Sequence, residues 1–265
     1  MLPDIEYLKT IVREAAIEEV LPRFNAIGYE IKNDGSLVTD ADLAVDKRIC
    51  KALASAYPDI AFLSEEMNLD EQQALLSSSS KLWCLDPLDG TSNFAAGFPL
   101  FASSLALIVD GEVQMGISYD AIRDEMFSAE KGKGAFLNGE PLVCHTSGLS
   151  LDRSIAMFDV KRLKPDLAMR LLNEKPYRSH RNLGASVLEL AWMAAGRGQL
   201  YLHGGMKLWD LAAGSLIYSE AGGHSCTLDG DDIFKATMIP RSVILSPDSD
   251  LFLEWKAYIL NEKIA

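Results

Sequence analysis

An apolar run that ends in two acidic residues is the feature that most restricts the fold of this chain. Residues 83–94 read WCLDPLDGTSNF, with Asp86 and Asp89 placed around a Pro-Leu pair. Proline favours extended geometry in the residue before it, and Gly90 permits a tight turn. Residues 91–93, Thr-Ser-Asn, are typical helix caps. The segment therefore predicts a strand, a turn, and a helix or turn whose amides point outward beside two carboxylates.

Other acidic residues also stand at the ends of predicted elements. Each has an ordinary alternative role: an Asx turn for the first pair, a surface ion pair after a strand, or an N-cap at a helix start. Taken together, acidic ends with apolar neighbours predict a site for a hard cation. The additional positions are Glu65 and Glu66 after a strand, Asp210 at the start of an Ala-rich helix, and Asp40 and Asp42 at an earlier helix start.

The remaining pattern alternates between helices and strands. Hydrophobic periodicity and turn residues predict helices at 4–21, 42–56, 165–174, 184–196 and 210–221, strands at 60–64, 82–85, 154–158 and 199–202, a hairpin of 103–109 with 112–119, and a turn at Asn138-Gly139. The serine-rich stretch 75–80 is predicted to be a mobile surface loop. A change of pattern near residues 140–150 predicts two halves, 1–145 with most of the acidic residues and 146–265 with Asp210.

Composition limits the class of protein. The 265 residues can form one large domain or two closely packed ones, and the hydrophobic fraction of 48% is that of a soluble globular protein. No apolar stretch reaches the ~18–20 residues of a spanning helix, and the N-terminus alternates charged and apolar residues, unlike a signal peptide. The four cysteines never fall in CxxC spacing. We therefore expect reduced thiols in a cytoplasmic protein, without a zinc site or a disulfide framework.

The charge balance disfavours nucleic acid as a partner. The net charge is −13, from 38 acidic and 25 basic residues, and no cluster of Lys and Arg is visible. An acidic protein can still bind a small phosphorylated molecule if cations lie between them. The expected partner is therefore a small phosphorylated substrate, with no membrane, and we also expect a homodimer.

DPLDGTSNF at residues 86–94 and WDLAAGSLIYSEAGG at residues 209–223 closely resemble the two signature motifs of the inositol monophosphatase superfamily, the magnesium-dependent, lithium-sensitive phosphatases. SEE at 64–66 and LVTDAD at 37–42 fit the other acidic blocks of that family in the same order, and AEKGKGAFLNGEPL at 129–142 is similar to its central hairpin. The likeness covers most of residues 5–245. It implies an α+β fold, a layered αβαβα sandwich with the metals between its two halves.

The resemblance also implies a role for each matched residue. It implies two or three Mg²⁺ ions, with Glu65 and the Leu88 carbonyl at the first, Asp86 bridging, Asp89 and Asp210 at the second, and Glu66 at a third, weaker one. The amides of Gly90 and Thr91 would hold phosphate oxygens. Asp42 would orient the Thr91 hydroxyl, which together with the first metal at Glu65 prepares the attacking water.

Physical chemistry supports a metal at such a cluster. Two unit charges ~4 Å apart repel by about 4 kcal/mol at an effective dielectric of 20, so converging carboxylates need cations. Magnesium would also lower the pKa of water, cancel phosphate charge and stabilise the leaving alkoxide. Oxygen ligands favour Mg²⁺ or Mn²⁺ over zinc. Lys32 either contacts the site from a mobile flap or is a solvated loop lysine. The histidines are expected to be surface or packing residues rather than ligands: His145, His180, His203 and His224.

The substrate is less well defined. In the inositol-hydrolysing relatives an acidic residue seven positions before the second-motif aspartate binds sugar hydroxyls, and here that position is His203. An imidazole cannot replace a carboxylate as an acceptor for two hydroxyl donors. The segment GASVLELA matches the substrate-facing segment of the family, with helix packing as the alternative. Its expected substrate contacts are Gly184, Ala185 and Ser186, which would act together with Asp210.

The sequence thus predicts a magnesium-dependent phosphomonoesterase that hydrolyses a small phosphorylated polyol or sugar, of the inositol 1-phosphate type, by attack of a metal-activated water. Fructose 1,6-bisphosphate, histidinol phosphate and 3′-phosphoadenosine phosphates are alternative substrates within the superfamily. A non-catalytic regulatory protein with the same fold is an alternative of another class. A glycosidase built on Glu65 would leave the Asp-Gly-Thr turn and Asp210 unexplained.

Overall fold

The computed structural model describes residues 2–25, 30–31 and 37–261, so Lys32 and its predicted flap lie outside the described residues. The helices are α1 (Ile5–Ala15), α2 (Asp40–Ala56), α3 (Leu69–Ser78), α4 (Thr91–Ala96), α5 (Pro165–Glu174), α6 (Ser186–Ala194), α7 (Leu208–Glu220) and α8 (Ser249–Leu260). A wider π-type turn at Ala16–Val20 and a 3₁₀ turn at Leu21–Arg23 continue α1. Further 3₁₀ turns lie at Leu151–Arg153 and Val160–Arg162.

The strands form a short ribbon and two larger sheets. In chain order they are β1 (Glu30–Ile31), β2 (Leu37–Val38), β3 (Ala61–Ser64), β4 (Lys81–Asp89), β5 (Ala102–Val109), β6 (Glu112–Asp120), β7 (Glu125–Glu130), β8 (Ala135–Leu137), β9 (Glu140–Leu142), β10 (Ile155–Phe158), β11 (Ser179–Arg181), β12 (Leu200–Met206), β13 (His224–Cys226) and β14 (Arg241–Ser246). Strands β3 to β9 follow one another in the first sheet, and the second has the order β11-β10-β12-β14-β13.

The apolar side chains define five layers. Residues of α1 and α2, such as Val12 and Ile49, pack with Trp83 and Leu105 on one face of the first sheet. The other face of that sheet packs against α6 and α7, which in turn contact the second sheet through Tyr201. A third cluster joins the outer face of the second sheet to α5 and α8. The order helix–sheet–helix–sheet–helix confirms the predicted αβαβα sandwich.

The first sheet explains how the acidic segments meet. Strands β3 and β4 are parallel, with Ser64 paired to Leu85, and the N–H of Glu65 donates to the Leu85 carbonyl at 3.1 Å. Because the two strands end at the same edge, the acidic residues that follow them lie side by side. The buried helix α7, which begins just before Asp210, packs on β4, β5 and β6 and brings its first turn to the same edge.

Two local predictions are wrong. The stretch 75–80 is not a loop, because α3 continues through Ser78. The hydroxyls of Ser77 and Ser78 donate to carbonyls four residues earlier, at 2.7 and 2.8 Å, and the neighbouring leucines pack against the core. The packing of these leucines, and not the serine hydrogen bonds, offsets the weak helix propensity of serine. The helix after the signature strand takes Gly90 as its N-cap, without a side-chain cap, rather than residues 91–93.

The other predicted elements are present, with ends shifted by a few residues. Helix α2 begins at Asp40, two residues before the predicted start, and ends at Ala56 as predicted, with Tyr57 as its C-cap before Pro58. The hairpin of β5 and β6 and the turn at Asn138, which has a positive φ of 52°, are also present. Among the helices of the described residues, none has the length and apolar character needed to cross a membrane.

Candidate active site

Three carboxylates converge where β3, β4 and α7 meet. One oxygen from each of Glu65, Asp86 and Asp210 lies within 4.8 Å of the others. Glu65 is held by its backbone, because the Gln72 side chain of α3 donates to the carbonyls of Ser64 (2.8 Å) and Glu65 (3.3 Å). The predicted convergence of acidic blocks that are far apart in sequence is therefore present for these three residues.

The cluster is electrostatically strained without a cation. Asp86 is 1% exposed. Burial raises its pKa well above the usual range, and the charges of Glu65, Asp89 and Asp210 raise it further. Burial likewise raises the pKa of Asp210, although the Lys207 N–H, which donates to it at 3.0 Å, opposes the rise. Neighbouring carboxylates that resist ionisation together favour the binding of a cation.

Asp89 and Glu66 lie outside the group of three. The Asp89 carboxylate lines the same cavity, and it accepts hydrogen bonds from the Val187 N–H at 2.7 Å and the Ser186 hydroxyl at 3.4 Å. It therefore joins the signature turn to the start of α6. Glu66 is half-buried in the turn after β3, and its N–H donates to the Ser64 hydroxyl at 3.3 Å.

A buried hydrogen-bond chain joins the starts of α2 and α4. The Thr91 hydroxyl lies 3.2 Å from Asp42 Oδ1 and 3.0 Å from the Leu88 carbonyl. The other oxygen of Asp42 accepts from the N–H and the hydroxyl of Thr39, at 2.8 and 2.6 Å. Burial raises the Asp42 pKa, and these hydrogen bonds oppose that rise. Asp42 thus has the alternative role that its position suggests, capping α2, and also accepts from Thr91.

Gly90 holds the signature turn against the substrate-facing segment. Its φ is +89°, and an added Cβ would lie 2.8 Å from the Leu100 carbonyl and 3.0 Å from the Ala185 Cβ. A larger residue would be strained by both the backbone conformation and the contact. The amide of Asn93 ties the same regions together, because it donates to the carbonyls of Leu100 (2.8 Å) and Leu183 (2.7 Å).

A cavity of about 180 Å³ opens beside these groups. Its lining contains most of the predicted site residues: Glu65, Leu88, Asp89, Gly90, Thr91, Gly184, Ala185, Ser186, His203 and Asp210. Asp42 and Asp86 are not part of the cavity lining. Asp42 is linked to it by the hydrogen bond with Thr91, and Asp86 by the carboxylate cluster with Glu65 and Asp210. The substrate-facing segment predicted from the sequence is therefore next to the predicted metal ligands.

His203 lines this cavity as a neutral residue. Burial, together with the charges of Arg162 and Lys161, lowers its pKa to about 4. Its Nδ1 accepts the Gly205 N–H at 3.1 Å, which leaves Nε2 as the protonated donor of the neutral ring. The ring is 7% exposed.

The cavity also contains residues that the sequence analysis did not single out. They are Asp159, Lys161, Arg162, Asn182, Glu189, Gly205 and Lys207. The sequence DVKR directly after the predicted strand 154–158 was a signal for the first three. Glu189 is 4% exposed, and it accepts from the Leu183 N–H at 2.9 Å and the Tyr201 hydroxyl at 3.1 Å. Burial raises its pKa to about 7.

The donor set fits a hard divalent cation. The clustered side chains offer carboxylate oxygens, and the Leu88 carbonyl lines the same cavity. Oxygen ligands of this kind suit Mg²⁺ or Mn²⁺. Burial and then the neighbouring negative charges raise the pKa of Asp86, and a bound cation would compensate the second of these two causes.

Known proteins with similar sequences carry two kinds of name. "Nus factor SuhB" of Pasteurella multocida is 34% identical over 217 residues, which are 77% of this chain and 80% of that protein. "Inositol monophosphatase 1" of Bos taurus is 29% identical over 256 residues, which are 93% of this chain and 90% of that protein.

Solved structures with the same fold carry related names. The structure of "Thermotoga maritima IMPase TM1415" is 27% identical with a TM-score of 0.83, covering 97% of this chain and 96% of that one. An "IMPase/NADP phosphatase complexed with Mg²⁺ and phosphate" is 26% identical with a TM-score of 0.80, covering 98% and 94%. The sequence model described as "Inositol monophosphatase family" matches residues 3–263. The chain therefore belongs to the inositol monophosphatase family, a family of phosphatases.

Proposed function

We propose that this protein is a magnesium-dependent phosphomonoesterase that hydrolyses a small phosphorylated polyol or sugar by attack of water on phosphorus. The observation that carries the proposal is the convergence of Glu65, Asp86 and Asp210 within 4.8 Å, in a site that also contains the hydrogen-bonded Thr91–Asp42 pair. Inositol 1-phosphate is the first substrate to test. The alternatives are fructose 1,6-bisphosphate, histidinol phosphate and 3′-phosphoadenosine phosphates.

Two or three Mg²⁺ ions would be held by the acidic groups. Glu65, Asp86, Asp210 and the Leu88 carbonyl would form the centre of the site, with Asp89 and Glu66 contributing at its edges. Bound magnesium would supply charge neutralisation for the phosphate, acidification of water and stabilisation of the leaving oxygen. The solved IMPase/NADP phosphatase with Mg²⁺ and phosphate supports this choice of metal.

Thr91 and Asp42 would direct the water. When the Thr91 hydroxyl donates its only proton to Asp42, the lone pairs of its oxygen are left to accept a hydrogen bond from water. A water held in this way is oriented with its own lone pair towards phosphorus. Attack forms a new P–O bond and breaks the ester P–O bond, the attacking water gives up a proton and the leaving oxygen takes one up, so the products are an alcohol and inorganic phosphate. Positioning of this kind lowers the barrier because the reacting atoms are already aligned.

Phosphate and leaving group would lie on different parts of the wall. The amides of Gly90 and Thr91 at the start of α4 would donate to phosphate oxygens. Gly184, Ala185 and Ser186 line the cavity beside them, and His203 and Asp210 complete the side on which the alcohol leaves. Asp89 supports this arrangement because it binds the first residues of α6.

The names of similar proteins support a phosphorylated small molecule as the substrate, but they differ in detail. One similar protein is named inositol monophosphatase and another is named IMPase/NADP phosphatase. The homodimer, the cytoplasmic location and the division into residues 1–145 and 146–265 stay predictions.

The test is phosphate release from a panel of polyol, sugar and nucleotide phosphates, measured with Mg²⁺, with a chelator, and with Mg²⁺ plus Li⁺. We expect release that requires Mg²⁺ and is inhibited by Li⁺. Release that persists in the chelator would contradict the metal assignment. Absence of release from every substrate would favour the regulatory alternative, which is supported by the name "Nus factor SuhB" of three similar proteins.

A further inference from the structure

Basic residues line one side of the cavity that contains the acidic cluster. Lys161 and Arg162 line the cavity together with Glu65, Asp89 and Asp210. Their side chains are 73% and 54% exposed, and within the described part of the chain both form their ion pair with Asp159, at 3.6 and 4.0 Å. Two cations with one weakly contacting anion leave an excess of positive charge. The proposed metal ions would neutralise the phosphate that is cleaved. The positive charge of Lys161 and Arg162 is therefore available to bind another group of the substrate.

The turn that carries the two cations is fixed in place. The Asp159 side chain accepts the Lys161 N–H at 3.1 Å, and the Arg162 N–H donates to the Asp159 carbonyl at 3.1 Å. The turn is pressed against β12, because a Cβ added at Gly204 would lie 1.6 Å from the Arg162 carbonyl oxygen. Only glycine allows this approach. The backbone is therefore pre-positioned, while the long side chains remain exposed and able to move onto a ligand.

The neighbouring residue of this wall is also a donor. Residue 203 precedes Gly204 on β12, and its ring accepts the Gly205 N–H through Nδ1. The neutral ring therefore carries its proton on Nε2. Lys161, Arg162 and His203 together present donors rather than acceptors to the cavity, which suits an oxyanion better than a neutral hydroxyl group.

We propose that the substrate carries a second phosphate in addition to the ester that is cleaved, and that Lys161 and Arg162 bind this second phosphate. The inference rests on the proposed phosphatase function and narrows its substrate class to small bisphosphates. An arginine fork matches the oxygens of a phosphate, and a lysine adds a mobile point charge. Asp159 positions the turn and limits the excess charge when the subsite is empty.

The first experiment compares fructose 1,6-bisphosphate with fructose 1-phosphate and fructose 6-phosphate in the presence of Mg²⁺. We expect kcat/KM to favour the bisphosphate by about tenfold, mainly through KM. The double variant Lys161→Gln/Arg162→Gln is expected to reduce that ratio to near one. Lys164→Gln is the control for loss of positive charge near the same turn, because Lys164 is exposed and outside the cavity lining, and this variant should leave the ratio unchanged.

A pair of nucleotides tests whether the second phosphate belongs to a sugar phosphate or to a nucleotide. Adenosine 3′,5′-bisphosphate is compared with adenosine 3′-phosphate in the same variants. A larger preference in this pair than in the fructose pair assigns the subsite to nucleotides, and a smaller one assigns it to sugars. Equal kcat/KM for bisphosphates and monophosphates, unaltered in the double variant, would overturn the proposal and leave the phosphatase function standing.

A binding measurement keeps the subsite testable if the protein releases no phosphate at all. Butane-1,4-diyl bisphosphonate and butylphosphonate have no hydrolysable ester, and their affinities can be compared by calorimetry with Mg²⁺ present. Tighter binding of the bisphosphonate, lost in the double variant but kept in Lys164→Gln, would support the subsite even without catalysis. Equal binding of the two phosphonates would refute it.

Discussion

The Thr91 hydroxyl and Asp42 Oδ1 are 3.2 Å apart although 49 positions separate the two residues in sequence. The contact joins the first turn of α4 to the first turn of α2, and through Thr39 it continues into the N-cap of α2. Because Asp42 is buried and accepts three other-residue hydrogen bonds, its carboxylate has little freedom to rotate. The Thr91 oxygen is thereby held in one orientation at the edge of the cavity.

Replacement of Thr91 tests this pair. Thr91→Val keeps the shape of the side chain and removes the hydroxyl, so we expect kcat to fall by roughly 10²-fold with a small change in KM, the loss expected when the attacking water is no longer aligned. Ser92→Ala is the control, because Ser92 is the exposed neighbour on the same turn, and it should retain wild-type kcat. Near-wild-type turnover in Thr91→Val would remove the pair from the mechanism.

A second prediction compares the stability effect of replacing buried aspartates inside and outside the acidic cluster. Asp86→Asn should raise the melting temperature of the metal-free protein, or leave it unchanged, because it removes one of several repelling carboxylates. Asp210→Asn should do the same. Asp120→Asn is the control: Asp120 is equally buried but accepts from Arg123 at 2.9 Å, so we expect a loss of about 1–3 kcal/mol.

Added Mg²⁺ should change the thermal stability of these variants to different extents. Wild type and Asp120→Asn should gain thermal stability from millimolar Mg²⁺, because occupancy of the site favours the folded state. Asp86→Asn and Asp210→Asn should lose most of this gain and all magnesium-dependent phosphate release. A metal-dependent shift of wild-type size in either variant would exclude that residue as a ligand.

The acidic cluster could be predicted from the sequence because its causes are local. Asp86 lies near the end of a buried strand, next to a proline and close to the glycine of the following turn, and Asp210 stands in the first turn of a buried helix. These signals need no knowledge of the rest of the fold. The helix at 69–78 was missed because its stability comes from leucines that pack against residues distant in sequence, and the run of serines gives no sign of that packing.

The basic wall could not be predicted in the same way. Lys161 and Arg162 reach the cavity because β10 lies parallel to β12, with Phe158 paired to Leu202, so that the turn after β10 is beside His203. That neighbourhood depends on the order of strands in the second sheet. The burial of Glu189 has a similar origin, because it requires α6 to lie between the two sheets.

A pH prediction follows from Glu189. Burial raises its pKa from 4.5 to about 7 in the folded protein. The protonated side chain therefore stabilises the fold fully below about pH 4.5, and this contribution is lost as pH rises to about 7. Glu189→Gln stays neutral, so the free energy of unfolding of wild type relative to this variant should fall across that window, by about 3 kcal/mol at most.

Denaturant unfolding of both proteins between about pH 3.5 and about pH 9 measures this difference. The values at the lowest pH are the internal control, because Glu189 is then neutral in both the folded and the unfolded chain and any gap reports packing alone. Above about pH 8 the gap should become constant, because Glu189 is then ionised in both states. A gap that does not vary with pH would mean that Glu189 is ionised throughout.

The last prediction concerns His203, which is buried and lines the same cavity as Lys161 and Arg162. His203→Glu introduces a carboxylate that can accept hydroxyl hydrogens, so KM for inositol 1-phosphate should fall by up to tenfold if about 1.4 kcal/mol is regained, with a smaller change in kcat. The same charge should repel a second phosphate, so KM for fructose 1,6-bisphosphate should rise. His203→Gln is the neutral control and should not produce these opposite changes. Unchanged KM values in a His203→Glu protein with a wild-type circular dichroism spectrum would show that the surrounding backbone, and not this side chain, recognises the leaving group.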